Sequence, residues 1–142
     1  MPTTKTMLAT FALGAAIVLG GSAAHAEQMK AMLDGKSEVP PTTSTGTGTA
    51  DIAYDPATKK LSWKLTYSGL SGPATAAHFH GPAGPADKAG VAVAIPNATS
   101  SPVEGSATLT DAQAADLEAG KYYVNIHTAA NPGGEIRGQV TK

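Results

Sequence analysis

The chain contains no cysteine, which removes disulfides, thiolate metal ligands and cysteine nucleophiles together. No cysteine follows the N-terminal apolar run either, so a lipid-modified bacterial N-terminus is excluded. There is no run of Lys or Arg. Ten basic residues stand against 11 acidic ones, a formal net charge of −1. Both nucleic acid and anionic membrane demand clustered positive charge, so neither is an expected partner. Only one long apolar stretch occurs, Met7 to Leu19, shorter than the roughly 18 to 20 residues a membrane span needs. Preceded by Lys5 and followed by Ala24-His25-Ala26, it reads as a secretory signal peptide over residues 1–26, cut after Ala26. The expected location is therefore the periplasm or the cell exterior, with no membrane association after cleavage. Catalytic motifs are missing as well. No Gly-x-Ser-x-Gly elbow, His-Glu-x-x-His helix or phosphate loop is present, so no catalytic residue is assigned. Internal repeats are absent.

What remains, Glu27 to Lys142, is of a size to fold as one domain with its own core. Short patterned runs alternate with Gly, Pro, Asn and Asp, the punctuation of an all-β domain. Met29, Ala31 and Leu33 mark a first strand, and Ala50, Ile52 and Tyr54 share one face of a Thr-rich second strand over Thr45–Asp55. Leu61, Trp63, Leu65 and Tyr67 alternate with Ser62, Lys64, Thr66 and Ser68, the clearest amphipathic strand, with its apolar side as core. Further strands are predicted over Thr75–His80, Val91–Ile95, Val103–Leu109, Tyr122–Thr128 and Glu135–Val140. Val39-Pro40-Pro41 marks a loop, because proline cannot donate to a ladder. Thr110 and Gln113 can form a capping box, with Gly120 to stop the helix they open. The expected fold is an antiparallel β-sandwich or Greek-key-like barrel with one short helix near residues 111–119.

Three histidines lie beyond the leader: His78 and His80, flanking Phe79, and His127 in Tyr123-Val124-Asn125-Ile126-His127-Thr128. Side chains alternate along a strand, so His78 and His80 share a face, about 7 Å apart along it. With Phe79, Val124, Ile126, Ile136 and Val140 inward, the three histidines, Tyr123, Asn125, Glu135 and Arg137 all face away from the core. If the two strands are neighbours, three imidazoles converge. Three neutral imidazoles suit a divalent transition metal, copper first by the affinity order and zinc next. His78, His80 and His127 are thus candidate metal ligands, with Glu135 or Asn125 as a fourth ligand or as hydrogen-bond support. The alternatives are a structural polar network under the loop Gly81–Asp87 and a surface charge pair between Glu135 and Arg137.

The chain resembles the CHRD domain, a module defined in chordin and also found singly in exported bacterial proteins. The matching stretches are Leu33-Asp34-Gly35 with Glu38-Val39-Pro40-Pro41, Leu65 to Leu70, Ala77 to Ala83, Leu117 to Thr128 and Asn131 to Val140. They follow the expected order across essentially all of Glu27–Lys142. The resemblance implies a β-sandwich-like exported module with no secure biochemical activity. His-x-His on a β strand is also similar to copper/zinc superoxide dismutases, which use more histidines, an Asp ligand and a disulfide. Three functions follow as expectations: a metal-binding module, a non-catalytic structural or protein-interaction domain, and, with less in its favour, a copper redox enzyme. The sequence leaves a protein partner unidentified and the oligomeric state open.

Overall fold

One row of side chains shows how the barrel is built. In the computed structural model, which describes residues 25–142, Met29, Ile52, Trp63 and Gly105 lie opposite one another on four successive antiparallel strands. These are β1 (Glu27–Asp34), β2 (Thr47–Asp55), β3 (Lys60–Ser68) and β6 (Val103–Thr108). The predicted signal peptide lies outside the described residues apart from His25 and Ala26. Met29, Ile52 and Trp63 are buried while their neighbours in sequence are not, as period-two alternation on a half-buried sheet requires. Gly105 has a packing reason. A Cβ there would stand 2.7 Å from the Trp63 ring, so the indole occupies the space a side chain would fill.

The other strands are β4 (Ala74–His80), β5 (Val91–Ile95), β7 (Tyr123–Thr128) and β8 (Ile136–Gln139). All eight form one antiparallel sheet in the order β5-β4-β7-β8-β1-β2-β3-β6, curled into a nearly closed barrel. Of the expected architectures, the structure takes the barrel form. Phe79, Val124, Ile126 and Ile136 fill the inside from β4, β7 and β8, and Phe79 meets Trp63 across it with ring centroids 5.3 Å apart. Tyr67, expected in the core with Trp63, is only half-buried at its edge and donates its hydroxyl to Ala98 O at 2.6 Å. A phenol at the end of the apolar row keeps its polar tip paired in this way.

The helix α1 (Asp111–Glu118) joins β6 to β7. Its capping box is complete: Thr110 Oγ1 accepts from the Gln113 amide and Gln113 Oε1 accepts from the Thr110 amide. Gln113 Nε2 also reaches Ala92 O on the sheet's end strand β5, at 2.9 Å, while Ala114 and Leu117 bury against the core. Gly120 follows with φ +74°, the left-handed step at which glycine ends a helix.

The outer face of β7 and β8 departs from expectation. Asn125, Arg137 and Glu135 point away from the barrel interior, yet all three are buried. Segments 35–46, 81–90 and 129–134 fold over this part of the sheet and supply backbone and hydroxyl partners. No ion pair joins Glu135 to Arg137 among the described residues, so the surface charge pair expected of them is corrected to two separate buried polar groups. Alternation predicts which face a side chain takes. It does not predict what later covers that face.

Candidate metal centre

β4 and β7 are neighbours, and their register sets Ala76 opposite His127, His78 opposite Asn125 and His80 opposite Tyr123. His127 therefore lies diagonally from His78, within reach of a ring. One ligand atom from each of His78, His80 and His127 lies within 4.8 Å of the others. His80 is buried and the other two are half-exposed, so the group is rooted in the protein and open on one side.

Hydrogen bonding identifies which nitrogens are available. His127 Nδ1 stands 2.8 Å from Pro132 O, and His80 Nδ1 stands 3.0 Å from Ala89 O. A carbonyl only accepts, so both Nδ1 atoms carry protons and the neutral rings present lone pairs at Nε2. This is the support ligating histidines usually have from a backbone carbonyl. His127 Nε2 faces His78 Nδ1 at 3.1 Å, close to the spacing of about 3.3 Å that two bonds of 2.0–2.1 Å make at a tetrahedral zinc. His80 Nε2 faces Asn125 Oδ1 at 2.9 Å, near the separation of two adjacent donors on one ion. Burial pushes the basicity of His80 down, against the opposing pull of its bonds to Ala89 and Asn125. Burial does the same to His78, with further lowering from His127 and His80. Desolvation thus favours the neutral, ligating form of both rings.

The His80 ring is held flat. It stacks on Tyr123 with centroids 4.8 Å apart and planes 4° from parallel. Arg137 lies over the Tyr123 ring at 3.5 Å and donates to Gly84 O at 3.0 Å, which ties the segment 81–90 to the site. The Tyr123 hydroxyl bonds Ala89 O and accepts from the Ala89 amide, so the carbonyl that orients His80 is itself oriented.

Glu135 takes no part in this group. Its carboxylate accepts from the Ser71 amide and hydroxyl, Thr128 Oγ1, Ser44 Oγ and Asn131 Nδ2. Burial alone would raise it, but these bonds prevail and hold it down at about 2. Its lone pairs are committed to joining the segments around it, so it is not placed as a fourth ligand. Asn125 is placed beside His80.

Glu38, from a segment without strand period, is brought to the same place. It is buried, and its Oε1 and Asn125 Nδ2 border the same point beside Gly134. Its Oε1 is enclosed without a partner at full hydrogen-bond geometry. Burial raises Glu38 above the ordinary carboxylate range, against the field of Arg137 and the Asn125 amide. Gly134 permits the approach: at φ +126° it is in a glycine region, and a Cβ there would collide with Glu38 Oε1 and lie 2.6 Å from Asn125 Nδ2. Glu38 also borders a groove of about 440 Å³ between the segments 38–43 and 130–134. The groove contains none of the histidines, so the concave surface and the ligand cluster are separate features.

An all-β barrel carrying a histidine cluster on the loop-covered part of its outer face is the class of protein defined here. The chain belongs to the CHRD domain family, whose model matches residues 29–140, nearly all of the described part. No curated protein and no solved structure shows a significant match to the chain.

Proposed function

We propose that this CHRD domain is an exported transition-metal-binding module that holds one ion through His78 Nδ1, His80 Nε2 and His127 Nε2. Copper is the favoured ion and zinc the next. The observation that carries the reading is the facing of His80 Nε2 and Asn125 Oδ1 at 2.9 Å. With His80 neutral and its proton on Nδ1, two lone pairs oppose each other there. A proton, an inverted amide or a cation relieves that opposition, and burial of His80 disfavours the proton. Export rests on the N-terminal signal pattern.

The test is metal content. The chain is produced by export in bacterial cells, dialysed and compared with a His80→Ala variant. Near-stoichiometric metal in the wild type, sharply reduced in the variant, is the expected result. Absence of metal in both after reloading with Cu²⁺ and Zn²⁺ would refute it. The reading is a binding module without catalysis; dismutase activity of the copper-loaded protein would move it to the redox alternative.

A second reading has its own support. His80, Arg137 and Gln139 all bond backbone oxygens in or next to the loop that follows β4. The same residues therefore serve a structural polar network with no ion. Thermal unfolding separates the two, because an ion that binds only the native state adds about 2.7 kcal/mol at a hundred times its Kd. A purely structural network leaves the melting temperature unchanged.

A further inference from the structure

We infer that Glu38 is a positioning residue of the histidine site, acting through Asn125 to keep Oδ1 of that amide turned toward His80 as a metal's oxygen donor. The inference rests on the metal reading above and adds a residue to it. An Asn side chain has two similar ends, and their order determines its chemistry. With Nδ2 toward Glu38, the amide oxygen faces His80 Nε2 at 2.9 Å and shares an ion with it. With the amide inverted, Nδ2 donates to the same lone pair and closes the site. A carboxylate accepts only, so Glu38 favours the first arrangement. Gly134 keeps the two side chains together, since any β-carbon there would separate them.

The setting supports a role other than holding the fold. Glu135 is also buried and has five donors around it. Glu38 has the Asn125 amide beside it, the adjacent Val39 backbone and the fields of Arg137 and Lys88, while its enclosed Oε1 makes no hydrogen bond of full geometry. A buried carboxylate so sparsely compensated is a poor structural device. It suits a group whose task is to orient one neighbour.

The test uses the full mature chain in three forms: wild type, Glu38→Ala and Glu38→Gln. Copper affinity by competition with a chelator is expected to fall 10- to 100-fold in Glu38→Ala, the usual effect of removing a supporting partner. It should return to near the wild-type value in Glu38→Gln, whose side-chain carbonyl still accepts from Asn125 Nδ2. The electron paramagnetic resonance spectrum of the copper form should change in Glu38→Ala alone, reporting loss of the oxygen donor. In the metal-free protein, the Asn125 side-chain amide protons should lose exchange protection in the same variant. Wild-type affinity, spectrum and protection in a folded Glu38→Ala overturn the inference and leave the metal reading standing. A wild type that takes up no copper, and behaves like His80→Ala, removes the metal reading and this inference with it.

Discussion

His78 and His127 meet nitrogen to nitrogen, Nδ1 to Nε2 at 3.1 Å, with their rings 73° from coplanar. Because Pro132 O fixes the proton of His127 on Nδ1, the single proton between the rings belongs to His78. That proton stands where an ion would bind. Metal uptake should therefore move it to Nε2 of the same ring, which stays neutral, and the imidazole nitrogen NMR signals of His78 should show that change of tautomer when the wild type is loaded with Zn²⁺. An unchanged His78 tautomer in the loaded protein would remove His78 Nδ1 from the ligand set.

His78 and His80 set how the metal-free protein responds to pH. His78 is lowered by burial first, then by its neighbours His127 and His80, and His80 is lowered by burial. A base whose folded value lies below its unfolded one binds fewer protons in the native state. Its favourable contribution is complete above about pH 6.5 and is lost as pH falls from there through the folded value. The melting temperature of the metal-free wild type should drop between pH 7 and pH 5. The double variant His78→Ala, His80→Ala should show a flatter profile, and an equally steep one would contradict the cause given.

Two buried glutamates should behave in opposite ways. Glu135 is held at about 2 because its hydrogen bonds outweigh burial. Its contribution is present above about pH 4.5 and lost as pH falls toward 2. Glu135→Ala strands several donors at once and should cost about 3 kcal/mol in urea unfolding at pH 7. A loss below about 1 kcal/mol would show that water replaces the carboxylate.

Glu38 is raised, chiefly by burial, so its charged form opposes folding and its protonation, as pH falls through the folded value, relieves the opposition. Glu38→Gln should make the metal-free protein more stable at pH 7, in contrast to the loss at Glu135. A clear destabilisation in urea unfolding would contradict this reading of its environment.

Gly105 offers a control remote from the site. Alanine there places a methyl group against the Trp63 ring, and overpacking of this kind costs about 1–3 kcal/mol. Gly105→Ala should lose that much in equilibrium unfolding and keep wild-type copper affinity. A change in both would couple the barrel core to the histidines.

Much of the fold could be read from the chain because its strands obey a simple period. Leu61, Trp63 and Leu65 could only be one face of a strand, and Thr110 with Gln113 announced the helix start. The facing of His78, His80 and His127 away from the core followed from Phe79, Val124 and Ile126. Glu38 could not be read as part of the site. It lies in a loop with no period, and its meeting with Asn125 depends on the segment 35–46 folding over β8. The contact carried no local signal beyond the family match of Glu38-Val39-Pro40-Pro41. Glu135 departs from its surface pattern for a related reason: alternation turns it outward, and Ser44, Ser71, Thr128 and Asn131 enclose its carboxylate there.

By itself, the sequence determined the strand periods, the cysteine-free chemistry, the family and the common face of the histidines, because each depends on residue type and short-range spacing. The tertiary structure alone decided that β4 lies beside β7 and which imidazole nitrogens are free. It also decided that Glu135 binds its own loops and that Glu38 stands behind Asn125. Those outcomes depend on strand order and on loops crossing the sheet, where contacts form between residues far apart in the chain and no local pattern records them.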